Sequence, residues 1–381
     1  MDDAARVKRR LRTLFAAPID ASGVSHTCWS ILQAAARVGH APTLHAAFLR
    51  RGSPAAFPVT TVLPGPATLL PFHILKPLAQ SALHARFLAS LAEDDVAYLW
   101  PGVPLRTFRA VARRGISIVT EAVNTRMAVA RDILDAAYDA LGAAPEHGIT
   151  DARIAMQVER NALCAAIVAP SPVVEESYRT TACAARIVPA SFGTWVPAEL
   201  PQRLRRPDRP VRFLFVGRDD VRKGLHRLLE VWRTPPAGAE LRIVGEISPL
   251  IRRLFADVLN LPSVSADGFR SDMIAEYRAA DVVVLPSLEE GDPIVTYEAA
   301  AHGLPVIASA PGAGRIGAET GVVEIVDPQD LGALRDALER YAADEELRRE
   351  KGALCRAASL AYDWSRVAPA RLDRLFAFLA R

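Results

Sequence analysis

The sequence predicts an α/β protein of two domains, each alternating short buried strands with helices. Three observations carry this expectation. The 381 residues exceed what one ordinary hydrophobic core organises, and 50% of them are apolar, enough for each half to bury its own core. Short apolar runs of strand type recur in both halves and end at turns bearing glycine or proline. Between the halves, residues 192–210 crowd Pro197, Pro201, Pro207 and Pro210 together with charge, the composition of an exposed linker.

Along the first half, Lys8, Arg9 and Arg10 precede Leu11, but Arg12 interrupts the apolar stretch and Pro18, Ile19 and Asp20 end it. This start reads as a short charged helix and a first strand at 12–17 rather than a signal peptide. A turn at 20–25 leads into a helix at 26–38 that stops at Gly39 and His40. Two further strands are expected at 95–102 and 116–124, with their ends entering a crevice. In the second half, 213–218 reads as a strand and glycine turn leading to a helix, and 241–245 as the next strand and turn. Residues 330–359 are helical in pattern, and Asp363, Trp364 and Ser365 start a final helix.

The segment 282–307 is the most informative. Val282, Val283, Val284 and Leu285 form a buried strand stopped by Pro286 and Ser287. Asp292 then reads as an N-cap with Pro293 at the first helical position, where a missing N–H costs nothing. Gly303 closes that helix, and 305–308 opens the next strand. The first amides of the helix, those of Ile294 and Val295, point into the crevice at the strand ends, so a phosphate is expected there. Glu290 sits in the turn, and Glu298 lies one to two turns into the helix.

Upstream, Gly217 and Arg218 are followed by Lys223 and Gly224, which places two cations near a glycine turn. An arginine carries little weight in this chain, because only four of its 46 basic residues are lysine: Lys8, Lys76, Lys223 and Lys351. Lys223 is therefore the more telling of the two, a compact point charge where the chain otherwise writes Arg.

Together, Pro286-Ser287, Glu290-Gly291, Glu298 and the run from Ala300 through Gly303 and Pro305 to Ile307 resemble the donor-site signature of retaining glycosyltransferases of the GT-B fold, family-four type. The elements Gly217-Arg218 with Lys223-Gly224, 241–245 and Gly268-Phe269-Arg270 are similar to that family's and fall in its order. The resemblance implies two Rossmann-like domains facing a central crevice. Residues 1–195 would form the acceptor-side domain, 196–362 the nucleotide-sugar domain, and 363–381 a helix crossing back to the first. It implies a sugar transferred from a UDP- or GDP-linked donor to an acceptor hydroxyl with retention, and no other cofactor or metal. Glu290 would lie by the donor sugar, Glu298 would hold the ribose, and Arg218 and Lys223 would stabilise the departing diphosphate. Gly217, Gly291, Asp292, Pro293, Ile294, Val295 and Arg270 would line the donor site.

The first domain matches more loosely. The family's Gly-Gly loop corresponds to Ser22-Gly23, leaving Gly23 as the donor-side residue, and a family histidine at the end of the first crevice strand is Trp100 here. Trp100 would offer a sugar a stacking face. Glu121 and Asn124 would shape the acceptor side with it. The segments around Val158 to Asn161 and Ala166 to Ser171 are similar to the helix and strand that end the family's first domain, with 187–189 as its last strand.

Residues 312–317 fit the dinucleotide pattern G-x-G-x-x-G, but the apolar run at 321–326 comes too soon for the crossover helix that pattern needs. They read as a glycine loop over the donor crevice, and NAD is not expected. A net charge of +3 implies no nucleic-acid partner. Cys28, Cys164, Cys183 and Cys355 are widely spaced and suggest a reducing, cytoplasmic setting without zinc or disulfides. No apolar run reaches the length of a membrane span. Relatives acting on glycans or lipid-linked acceptors imply peripheral contact with the inner membrane face and a role in bacterial surface polysaccharide or glycolipid assembly. The competing readings are a GT-B nucleotide-sugar epimerase or hydrolase and a non-catalytic nucleotide-sugar-binding protein.

Overall fold

The structure is a computed structural model that describes residues 10–20, 23–50, 55–63, 70–200, 209–218 and 220–381. Lys8, Arg9, Ser22, Pro201 and Pro207 lie outside them. Two wholly parallel sheets organise the chain. The first holds β1 (Leu11–Phe15), β2 (Thr43–Ala46), β3 (Val59–Thr61), β4 (Val96–Leu99), β5 (Ser117–Glu121), β6 (Ala166–Ala169) and β7 (Ile187–Pro189), in the order β3-β2-β1-β4-β5-β6-β7. The second holds β8 (Val211–Val216), β9 (Ala239–Val244), β10 (Val264–Ala266), β11 (Val282–Leu285), β12 (Val306–Ala308) and β13 (Glu324–Ile325), in the order β10-β9-β8-β11-β12-β13. Each order reverses once, between β1 and β4 and between β8 and β11, and such switch points open a crevice beyond the carboxyl ends of the strands.

Helices cover both faces of each sheet, which is why most central strands are buried along their length. Helices Gly23–Arg37 and Trp364–Leu379 pack on one face of the first sheet, around Trp29, Trp100, Trp364 and Leu372. Helices Phe72–Ser90, Leu105–Ala112 and Pro172–Tyr178 cover the other. The final helix therefore crosses back to the first sheet. The crossing is local: the Thr194 amide donates to the Tyr362 carbonyl (3.1 Å), the Trp364 amide to the Thr194 carbonyl (2.9 Å), and the Val196 amide to Asp363 (2.8 Å). Outgoing and returning strands of chain thus run side by side.

Several elements differ from the sequence expectation. The helix expected at 26–38 begins at Gly23, whose positive φ of 56° starts it three residues earlier. The pattern at 330–359 is two helices, Leu331–Ala343 and Glu345–Ser359, because Asp344 takes an extended backbone and its carboxylate accepts from the Leu347 amide. The expected glycine loop at 312–317 is instead part of helix Ala310–Thr320, kinked at Gly314. A Cβ at Gly312 would stand 2.2 Å from the Leu285 carbonyl oxygen, and one at Gly314 (φ 62°) would stand 2.5 Å from an Asp292 oxygen. These glycines let a helix lie against the end of β11.

Candidate functional site

Two turns meet at the β8/β11 switch point. The turn after β8 carries Gly217, Arg218, Asp220, Arg222 and Lys223 into helix Leu225–Trp232, and the turn after β11 carries Ser287, Glu289 and Glu290 into helix Ile294–Ala301. Gly224 makes the approach possible: its φ is 70°, and any Cβ would fall 1.9 Å from the Pro286 carbonyl oxygen. The Leu288 amide then donates to the Arg222 carbonyl (2.8 Å), which seals one turn on the other. As a result the Lys223 ammonium pairs with Glu290, and the Ser287 hydroxyl donates to the same carboxylate oxygen at 3.1 Å. Arg218 stands exposed beside them without an ion pair among the described residues.

Asp292 does not cap the helix. Its carboxylate is drawn inward by the Phe192 amide (2.8 Å), the Arg315 amide (2.9 Å) and the Tyr297 hydroxyl (2.8 Å), and Pro293 takes the cap position with no side-chain bond. The amides that open the helix are therefore left without a capping oxygen, which suits them to an anion from outside the chain. Burial, outweighing those donors, pushes the Asp292 carboxyl up to about 6. A raised carboxyl pKa favours the folded state while protonated, so this contribution is complete below about pH 4 and disappears as pH rises through 6. Wild type should accordingly lose thermal stability relative to Asp292→Asn between those values and hold a constant difference above pH 7. A pH-independent difference would contradict the assignment.

Glu298 lies one turn beyond Ile294 on the same helix face and accepts from the Tyr277 hydroxyl at 2.7 Å. Burial raises its pKa, only partly offset by that bond. The Tyr277 ring is stacked on His302 with centroids 4.9 Å apart. Arg270 pairs with Asp267 (2.6 Å), which also pairs with Arg242, so its charge is already shared with a cluster at the ends of β9 and β10. Gly217 and Gly291 both make close approaches. A Cβ at Gly217 would touch the Lys223 stem at 3.1 Å, and one at Gly291 would collide with the Val123 carbonyl oxygen at 1.8 Å. A Cβ at Gly23 would meet nothing within 4 Å, so that position needs glycine for its backbone angle alone.

The acceptor-side expectations need correction. Trp100 is wholly buried between Phe15 and Tyr98, at centroid distances of 6.0 and 5.4 Å, and has no open face for a sugar. Glu121 is also buried, and it is occupied: it pairs with Arg371 of the final helix and accepts from the Tyr98 hydroxyl. Burial, only partly offset by the Arg371 guanidinium, raises its pKa. Asn124 does enter the crevice, where its amide donates to Glu289 at 2.8 Å.

Residues 210–344 match the family described as glycosyl transferases group 1. Over this part the chain is similar to that family. The match takes in every donor-side residue named above except Gly23. A D-inositol 3-phosphate glycosyltransferase of Xylanimonas cellulosilytica is 34% identical over 191 residues, 46% of this chain and 44% of that protein. One from Corynebacterium jeikeium is 30% identical over 226 residues, 53% of each. The chain thus spans about half the length of the curated relatives it matches. Among solved structures, a sucrose-phosphate synthase from Thermosynechococcus elongatus superposes with a TM-score of 0.73 at 21% identity, over 98% of this chain and 99% of that one. WaaG, a glycosyltransferase involved in lipopolysaccharide biosynthesis, gives 0.68 at 17% identity over 95% and 98%. Anabaena HepE in complex with UDP and glucose gives 0.67 at 16% over 97% and 99%. The two-domain fold is that of GT-B glycosyltransferases.

Within the matched segment, one residue escaped the sequence reading. Glu289 is wholly buried and accepts from Asn124 (2.8 Å), the Thr125 amide (2.9 Å) and hydroxyl (2.7 Å), and Arg222 (2.8 Å). It ties the ends of β5 and β11 together, across the crevice. The acid doublet Glu289-Glu290 was the available signal, since a second carboxylate beside the motif glutamate must find partners if buried.

Proposed function

We propose that the protein is a retaining glycosyltransferase that moves a sugar from a UDP- or GDP-linked donor to an acceptor hydroxyl, with residues 196–362 holding the donor and 1–195 the acceptor. The observation that carries this reading is the meeting of Lys223, Glu290 and an uncapped helix start at the switch point of the second sheet. The donor diphosphate lies against the amides of Ile294 and Val295, with Arg218 and Lys223 as its cations. Lys223 then exchanges part of its contact with Glu290 for phosphate oxygens, and Glu290 turns to the sugar hydroxyls.

As the bond from the sugar C1 to the diphosphate oxygen breaks, negative charge gathers on that oxygen, where the amides and cations already point. The acceptor hydroxyl forms its bond to C1 on the same face, and its proton passes to the departing phosphate oxygen. The chain's own cations serve this step, and no metal is required. Glu298 holds the ribose hydroxyls, with Tyr277 fixing its carboxylate. Gly23 stands at the facing helix start, and Gly217, Gly291, Asp292, Pro293 and Arg270 complete the donor walls.

The acceptor is a glycan or lipid-linked molecule, consistent with surface polysaccharide or glycolipid assembly at the inner membrane face. Helix Phe72–Ser90 supports such contact: it carries no acidic residue and exposes Ile74 and Leu78. No described helix is long and apolar enough to cross a membrane.

Thermal denaturation with UDP- and GDP-sugars tests the donor assignment, since a ligand at 100 times its dissociation constant stabilises the fold by about 2.7 kcal/mol. Glu298→Ala should raise the donor Kd at least about tenfold, the effect of losing one charge-assisted hydrogen bond. Unchanged donor affinity in that variant would remove the ribose role.

A further inference from the structure

A cavity of about 660 Å³ lies between the two halves of the molecule, beyond the carboxyl ends of β11, β12 and β13. That volume falls within the roughly 300–1,000 Å³ of small-molecule sites. Helix Met127–Ala140 of the first domain forms one wall with Ile133, Ala136 and Ala140, which stand three and four residues apart and so share a face. Alanine at two of these three positions keeps that face shallow. The second domain supplies the rest, with Leu288 and Pro311 from the turns after β11 and β12, and Ile325 from the end of β13. The helix is already committed to that domain, because its Ala137 and Tyr138 pack with Leu228 and Leu334 in the second core. Arg218, Lys223, Glu290 and Glu298 do not line this cavity, so it is separate from the donor site.

One cation enters this apolar setting. Arg227, in helix Leu225–Trp232, lines the cavity, its Nε is buried without a hydrogen-bond acceptor, and its guanidinium pairs with no carboxylate among the described residues. A buried donor left without an acceptor is costly, and more so when it carries charge. The acid of the wall, Asp327, does not answer it: Asp327 is exposed, and its carboxylate accepts from the Gln329 amide at 2.9 Å. A single unanswered cation calls for a single negative charge, and the forked donors of a guanidinium fit a planar carboxylate. A phosphate ester would bring nearly one charge more than the wall can meet. Most of the remaining wall is apolar, so a ligand that fills the cavity gains from an apolar body as well.

We propose that this interdomain cavity binds an amphipathic monocarboxylate, with Arg227 holding the carboxylate and the Ile133, Ala136 and Ala140 face of helix Met127–Ala140 holding the apolar body. The site is additional to the donor site, and its occupation can be measured whether or not the glycosyltransferase reading holds.

The test titrates octanoate, octylamine, 1-octanol and acetate by calorimetry into wild type, Arg227→Gln and Ala136→Trp. Wild type should bind octanoate at least about tenfold more tightly than octanol or octylamine, the effect of one charge-assisted hydrogen bond. Acetate, which lacks the apolar body, should bind more weakly still. Arg227→Gln should bring octanoate down to the affinity of octanol, and Ala136→Trp, which places an indole in the cavity from an exposed position, should weaken octanoate and octanol together. Octanoate binding no tighter than octanol in wild type, or equal octanoate affinity in all three proteins, overturns the proposal. Loss in Ala136→Trp alone overturns the carboxylate assignment. If Arg227→Gln does not fold, the order of affinities in wild type and the loss in Ala136→Trp decide.

Discussion

Replacing Glu290 by Gln should lower kcat by about 10²–10³-fold while shifting the donor Kd only slightly. The size follows from removing one preorganised electrostatic group from a transition state that develops charge. The split follows from geometry. In the unliganded site Glu290 is the counter-ion of Lys223, so the amide leaves that cation more available to the diphosphate rather than less. Donor affinity should hold or rise as turnover falls, the pattern of an interaction made mainly in the transition state. Steady-state rates with donor titration would show it. A parallel loss of Kd and kcat would place Glu290 in ground-state binding instead.

The largest stability effect is expected at Arg371. Its guanidinium is wholly buried, pairs with Glu121 and also donates to the carbonyls of Ala190 and Ser191, which anchors the final helix on the first sheet. Arg371→Met leaves Glu121 buried without its counter-ion, a change that costs about 3–5 kcal/mol. Because burial already raises the Glu121 pKa, loss of the cation raises it further, and the variant recovers stability as falling pH protonates the carboxyl. The defect should therefore be greatest at neutral pH and smaller near pH 5 in urea titrations. Adding Glu121→Leu to Arg371→Met should restore much of the loss, since an apolar pair carries no stranded charge. A double variant as unstable as the single would show that packing rather than charge governs the site.

These two residues also mark how far the sequence could be read. Glu290 was legible because its context is local: strand, proline stop, glycine turn and helix all lie within 25 residues, and each step has its own turn and capping chemistry. Lys223 stood out as a lysine among arginines, and its partnership with Glu290 followed once β8 and β11 paired. Glu121 was legible only as a strand-end acid. Its partner lies 250 residues along the chain, beyond any periodicity or motif.

Asp292 shows the same limit in reverse. Its neighbour Pro293 gave a sound local reason to expect a helix cap, and a donor from residue 192, 100 residues away, redirected the carboxylate. The glycines at 312 and 314 likewise announced a special backbone, but their cause is contact with Leu285 and Asp292 rather than a loop.

The starts and stops of strands and helices around Glu290 were written in local chemistry, where a few neighbouring side chains fix each turn and cap, whereas the return of the final helix to the first sheet was implied by the family resemblance. Which carboxylates are consumed by the protein was settled by packing. A buried charge takes whatever partner the folded chain brings within reach, and for Glu121, Glu289 and Asp292 that partner comes from the far side of the crevice or from the other end of the chain.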